Sequence, residues 1–151
     1  MKGSLKEDAA KTKLQRARIA RMATVDAAGQ PAIIPICFAY DGTNIYTAID
    51  LKPKKVSPLK LARVRNIEKN PEVVLIVDQY LEDWSRLWYV LVRGRAVVLE
   101  GDGTERAQAI RLLRKKYRQY KKGFLPDTAP VIRISPHRIS GWGNLSLNQG
   151  R

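Results

Sequence analysis

The chain has 151 residues, 44% hydrophobic and 28% charged, with the single cysteine Cys37. It is long enough for one domain, 1–151, with its own core, and a lone cysteine excludes an internal disulfide or a paired-cysteine metal site. Basic residues number 28 against 14 acidic ones, so the net charge of +14 favours anionic partners, and the charged opening and lack of a long apolar run point to a soluble, cytoplasmic protein.

Residues 6–17 predict a short helix of low amphipathicity. A strand over 19–25 runs into the turn cluster DAAGQP. A second strand covers 32–40 (AIIPICFAY), where Pro35 implies an edge or a break. Asp41-Gly42 signals a hairpin, and 44–50 (NIYTAID) returns from it. A helix over 58–69 has Ser57 as N-cap, Pro58 at its first position and Leu59, Ala62, Val64 and Ile67 as its apolar face. Asn70-Pro71 ends it. Residues 73–77 (VVLIV) read as a fully buried strand, and 88–100 as a long strand bent or bulged at Gly94. Asp102 and Glu105 form a capping box for another helix, with Ala107, Ile110, Leu113, Tyr117 and Tyr120 as its buried stripe. A last strand over 131–142 breaks near Pro136. Strands joined by hairpins without regular strand–helix alternation predict a mainly β fold, an antiparallel barrel with flanking helices.

Little in this inventory does acid–base chemistry unaided. His137 lacks a partner in sequence and reads as structural. Cys37 lies in an apolar strand and reads as an inert thiol. No hydrolase, zinc-protease or nucleotide-binding motif occurs, and no metal site is expected. An enzyme built from these residues needs a cofactor to bring the reactivity.

The loop before the 58–69 helix points to what that cofactor carries. Lys52, Lys54, Lys55 and Lys60 crowd a predicted helix N-terminus, where each unpaired cation costs a few tenths of a kcal/mol. A bound phosphate reverses that sign. The preceding strand ends in Thr47, Ala48 and Asp50, small or polar residues that let a flat ligand approach. The second basic cluster, 105–122, sits mostly toward the C-terminal half of its helix, where the dipole favours cations. Trp84, Trp88 and Tyr89 in DWSRLWYV, with Trp142 in GWGN, serve core or interface packing, or stack on a planar ring.

The run 19–100 resembles the pyridoxamine 5′-phosphate oxidase-like superfamily, the FMN-binding split-barrel group of flavin and deazaflavin oxidoreductases. RIARMATVDAAGQP, IPICFAYDGTNIYTA, the basic loop, RNIEKNPEVVLIVD and YVLVRGRAVVLE carry the resemblance. DWSRLW is similar to a subgroup that uses coenzyme F420, a deazaflavin. The resemblance implies a six-stranded antiparallel Greek-key split barrel and a homodimer with the cofactor in a groove between subunits. It implies cofactor contacts from Thr47, Asp50, Lys52, Lys54, Lys55, Ser57, Lys60 and Arg63. Trp84, Arg86, Trp88, Trp142 and Asn144 would line the substrate side or the dimer interface. The implied activity is hydride transfer between coenzyme F420 and a small organic substrate, with FMN as the alternative cofactor. Two departures speak against vitamin B6 oxidation: AIIPICFAY stands where the oxidases carry an Arg-x-x-Leu-Leu-Lys segment, and Trp88 and Tyr89 replace an Arg-Gln pair. The rival from another class is a basic barrel that binds nucleic acid without catalysis, although its tryptophans lie apart from the lysine cluster.

Overall fold

The computed structural model of the protein describes residues 2–50 and 61–146. Helix α1 (Lys2–Arg16) precedes the hairpin of β1 (Ala20–Val25) and β2 (Pro31–Ile36). A second hairpin pairs β3 (Ala39–Tyr40) with β4 (Ile45–Ala48). Helix α2 (Ala62–Lys69), β5 (Glu72–Gln79), β6 (Trp88–Leu99), α3 (Thr104–Lys116) and β7 (Val131–Gly143) complete the chain. The strands form one sheet in the order β2-β1-β5-β6-β7-β4-β3, with every recorded pairing antiparallel. No described helix is long and apolar enough to cross a membrane.

Six strands are expected and seven are found, because the predicted strand 32–40 is interrupted at Cys37-Phe38. That interruption shapes the molecule. β2 and β3 lie at opposite margins of the sheet, yet only two residues separate them in the chain. A linker that short spans about 10 Å, so the margins must curl toward each other and the sheet becomes a barrel. Phe38 is fully buried at the join, and its N–H donates to the Tyr117 hydroxyl at 3.0 Å.

Two apolar clusters hold this shape. The barrel interior gathers Leu14, Met22, Phe38, Ile45, Leu75, Val90, Val92, Ile132 and Ile134. A second cluster lies under α3 and joins Ala39, Tyr46, Ala48, Ile110, Leu113, Tyr117, Tyr120, Leu125 and Val131. β4 is buried at all four positions because it stands between the two. β5 is longer than its apolar run and alternates: Val73, Leu75 and Val77 are buried, Val74 and Ile76 half-buried.

Gly94 marks a bulge, as its sequence suggests. Arg93 faces Arg138 and Gly94 faces Pro136, leaving His137 as the extra residue. A β-carbon on Gly94 would lie 2.8 Å from the Ser135 carbonyl oxygen, so the close approach requires glycine. The expected break near Pro136 does not occur; the bulge absorbs the proline and β7 runs on to Gly143.

The capping box of α3 does not form either. Gly103 takes the N-cap position without a side-chain bond. The Glu105 carboxylate is drawn elsewhere, accepting from the Tyr46 hydroxyl at 2.8 Å and from Arg133 Nη1 at 2.9 Å. A charged partner outcompetes one backbone amide. Helix α2 begins at Ala62, with Leu61 in extended backbone before it, later than the Pro58 start the sequence suggests. The proposed cap, Ser57-Pro58, lies outside the described residues.

Candidate functional site

β4 and α2 deliver polar groups to one place. After β4 the Ile49 N–H donates to the Pro130 carbonyl at 2.9 Å, and Asp50 follows, 4% exposed. Val64 and Ile67 anchor α2 in the barrel interior, and Asn66 Nδ2 donates to Thr24 Oγ1 at 3.0 Å, tying the helix to β1. With those faces fixed, Arg63 lines a cleft of about 390 Å3. Ile19, Ile34, Pro35, Ile36 and Cys37 form its apolar wall, and Thr47, Ala48, Asp50, Arg63 and Tyr120 the remainder. Thr47, Asp50 and Arg63, expected at a cofactor, are therefore brought together. Lys52, Lys54, Lys55, Ser57 and Lys60 lie outside the described residues.

Tyr120 comes from the turn after α3, seventy residues from Asp50, and its hydroxyl donates a short hydrogen bond to Asp50 Oδ2. Burial, then that bond, pushes its phenol pKa upward, so it stays a neutral donor. Burial pulls the Arg63 guanidinium pKa down, while the nearby Asp50 carboxylate pulls it back up. The Nε of Arg63 is buried with no hydrogen-bond partner among the described residues. A buried N–H without an acceptor, on a side chain that lines a cleft, is suited to an acceptor supplied from outside the chain. Among the described lining residues the Arg63 guanidinium is the group suited to a phosphate, and the Asp50 carboxylate in the same cleft offsets its charge.

The second group of expected residues sits at the other end of β6 and β7. Trp88 opens β6 opposite Gly143, which is held at φ 86° where a β-carbon would collide with the Leu87 carbonyl oxygen. Asn144 closes that corner: its N–H donates to Leu87 O at 2.9 Å and its Nδ2 to Ser85 O at 3.3 Å. Trp88 is buried with Lys13 Nζ 4.9 Å from its ring centroid. Trp84 is 71% exposed, and Trp142 is half-exposed and stacked on Tyr89 at 5.5 Å. Arg86 belongs to the short turn Trp84–Arg86. None of these five lines the 390 Å3 cleft.

Other features lie apart from it. His137 is exposed on its bulge, 3.4 Å from Glu72 Oε2. A wider groove of about 620 Å3 follows α3 and contains Arg106, but that guanidinium is spent on the carbonyls of Gly101, Asp127 and Ala129. Among the described residues no cluster of three metal-ligating side chains occurs.

Comparison with known proteins adds four relationships. A profile of the family described as pyridoxamine 5′-phosphate oxidase matches residues 7–143. A 5a,11a-dehydrotetracycline/5a,11a-dehydrooxytetracycline reductase from Streptomyces rimosus subsp. rimosus is 30% identical over 128 residues, covering 82% of this chain and 72% of that protein. Among solved structures, HutZ, a heme storage protein from Vibrio cholerae, superposes with a TM-score of 0.69 at 18% identity, covering 91% of this chain and 94% of that one. An F420 reductase superposes with a TM-score of 0.62 at 22% identity, covering 86% and 94%. At such identities the two structures speak for the fold, the split barrel.

Proposed function

The chain belongs to the pyridoxamine 5′-phosphate oxidase family, and from that membership we propose that it is an oxidoreductase that moves a hydride between coenzyme F420 and a small organic substrate. The observation that carries the reading is the cleft beside β4. There a desolvated arginine N–H has no acceptor among the described residues, and an apolar wall faces it. Bound there, the deazaflavin would supply the hydride chemistry. The chain's part is to hold and shield it. Arg63 would bind the phosphate, with Lys52, Lys54, Lys55, Ser57 and Lys60 completing the anion site and Thr47 at its floor. Ile19, Ile34 and Ile36 would keep water from the ring.

The same fold and site also suit FMN, so FMN is the alternative cofactor. The family's breadth of ligands makes the choice a matter for titration. The reductase relative supports oxidoreductase chemistry, and its polycyclic substrate suggests that the acceptor here is also a conjugated organic molecule.

A homodimer is part of the proposal. Ile19, in the cleft wall, is 44% exposed, and Ile33, on β2, is 65% exposed. A second copy that covers them would bury apolar surface and close the cleft. The corner of Trp84, Arg86, Trp88, Trp142 and Asn144 would then supply the substrate side from the partner.

Equilibrium titration of the purified protein with coenzyme F420 and with FMN tests the reading. Arg63→Ala should weaken whichever cofactor binds by about tenfold or more, since a hydrogen bond to a charged group is worth about 1.5–3 kcal/mol. Failure of both cofactors to bind, or an unchanged affinity in Arg63→Ala, would overturn it. Salt-sensitive binding of random DNA with neither cofactor bound would favour the nucleic-acid reading instead.

A further inference from the structure

Three separate segments supply Ile19, Cys37 and Tyr120 to the cleft wall, and each meets Tyr117 beside it. The carbonyl of Arg18, immediately before Ile19, accepts from the Tyr117 hydroxyl at 2.9 Å. Phe38, immediately after Cys37, donates its N–H to that hydroxyl at 3.0 Å and accepts from it on its carbonyl at 2.9 Å. Tyr120 donates its backbone N–H to the Tyr117 carbonyl at 3.2 Å. Tyr117 itself does not line the cleft. It is buried, with Arg18 Cζ 4.7 Å and Lys116 Nζ 5.4 Å from its ring centroid. Those two cations are tied to the same junction. Arg18 Nη2 donates to the Lys116 carbonyl at 3.0 Å, and Lys116 Nζ to the Ala17 carbonyl at 2.6 Å.

We propose that Tyr117 is a positioning residue of the cleft: through the backbone of Arg18 and Phe38 it sets where Ile19 and Cys37 stand, and so how the wall fits a flat ring. The inference rests on reading the cleft as a cofactor site. A peptide unit is planar, so a bond at one of its atoms orients the whole unit. The Arg18 carbonyl lies in the unit that leads into Ile19, and the Phe38 N–H lies in the unit shared with Cys37. Without the hydroxyl the Phe38 N–H loses its acceptor, and the buried backbone must shift to find another. A gap of about 0.5–1 Å between wall and ring forfeits about a quarter to a half of their contact attraction. The phosphate end is held separately. Arg63 stands on α2, which is anchored through Val64, Ile67 and the bond from Asn66 to Thr24.

The test compares each phosphorylated cofactor with its phosphate-free form: FMN with riboflavin, and coenzyme F420 with the deazaflavin that carries only a ribityl chain. The ratio of the two dissociation constants is the phosphate preference, and a loss common to both members of a pair reports the ring wall. Tyr117→Phe, titrated at a temperature where it is fully folded, should weaken both members by about tenfold and leave the ratio within about twofold of wild type. A residue that only held the fold together would lower the unfolding midpoint and leave both affinities of the folded protein unchanged. Amide exchange on the wild-type protein gives a second measurement, which stays decisive even if Tyr117→Phe folds poorly. Binding and closure of the junction are linked reciprocally, so saturation with whichever cofactor binds should slow exchange of the Phe38 amide by about tenfold. Unchanged affinities in Tyr117→Phe, a loss confined to the phosphorylated member, or Phe38 exchange that ignores the bound cofactor would overturn the inference. Arg63→Ala separates the two layers. If it abolishes the phosphate preference while Tyr117→Phe leaves ring affinity intact, only the role of Tyr117 falls. If neither pair of compounds binds the wild-type protein, the cofactor reading of the cleft falls and the inference with it.

Discussion

Tyr117 and Tyr120 are three residues apart, buried in the same cluster, and differ in what their hydroxyls meet. Tyr117 Oη accepts from the Phe38 N–H at 3.0 Å and shares its proton between the carbonyls of Phe38 and Arg18, each at 2.9 Å. All of its partners are backbone, from the segment before β1 and from the β2–β3 link. Tyr120 instead meets a carboxylate that lines a cavity. One phenol fastens chain to chain, and the other donates to a side-chain carboxylate. The two look alike in the sequence and in burial. What separates them is whether the partner could have served anything else: a strand-joining amide has no other use, whereas a carboxylate beside an arginine does.

Removing each hydroxyl should separate the two roles. Tyr117→Phe strands a buried amide and two carbonyls, so it should cost about 1–3 kcal/mol in denaturant unfolding while leaving the cofactor's phosphate preference unchanged. Tyr120→Phe removes one donor from a buried carboxylate that keeps a further partner, so it should cost about 1 kcal/mol. Equal losses of stability from both, with equal effects on binding, would erase the distinction.

A second contrast is in pH dependence. Lys116, beside Tyr117, donates to the Ala17 carbonyl at 2.6 Å and lies 4.1 Å from the Phe38 ring centroid. Burial, with Arg18 nearby, lowers its pKa from 10.5 to about 8. Between those values the unfolded chain holds a proton that the folded chain has released, so this group makes stability rise from about pH 8 to 10.5. Tyr46 and Tyr117 act in the opposite sense. Their pKa values are pushed up from 10 to about 12, mainly by burial, so the stability they contribute is present below pH 10 and lost between 10 and 12. Lys116→Met should flatten the rise between pH 8 and 10 in unfolding midpoints and leave the fall above pH 10. A rise of unchanged slope in that variant would mean another group is responsible. The smallest effect belongs to the basic loop: Lys54→Ala with Lys55→Ala should change stability by no more than ~0.5 kcal/mol yet weaken cofactor binding in titration.

Much of the fold follows from local signals. Asp41-Gly42 turns the hairpin it predicts, and Gly94 sits in a bulge. The misses have a common cause in partners that are distant in the chain. Glu105 abandons its capping box for Tyr46 and Arg133, and Pro136 is tolerated because His137 bulges opposite a glycine. Thr47, Asp50 and Arg63, which line one cleft, were singled out through the family resemblance. Tyr120 was not. It falls in a helical stripe where a tyrosine reads as core packing, and no local pattern announces a carboxylate seventy positions away.

The Cys37-Phe38 link has a consequence for how the barrel opens. The two margins are joined by the chain itself, and the Tyr117 hydroxyl holds the join through both the N–H and the carbonyl of Phe38. Losing that hydroxyl would loosen the join locally, because the ladders of β1, β5, β6 and β7 do not pass through it.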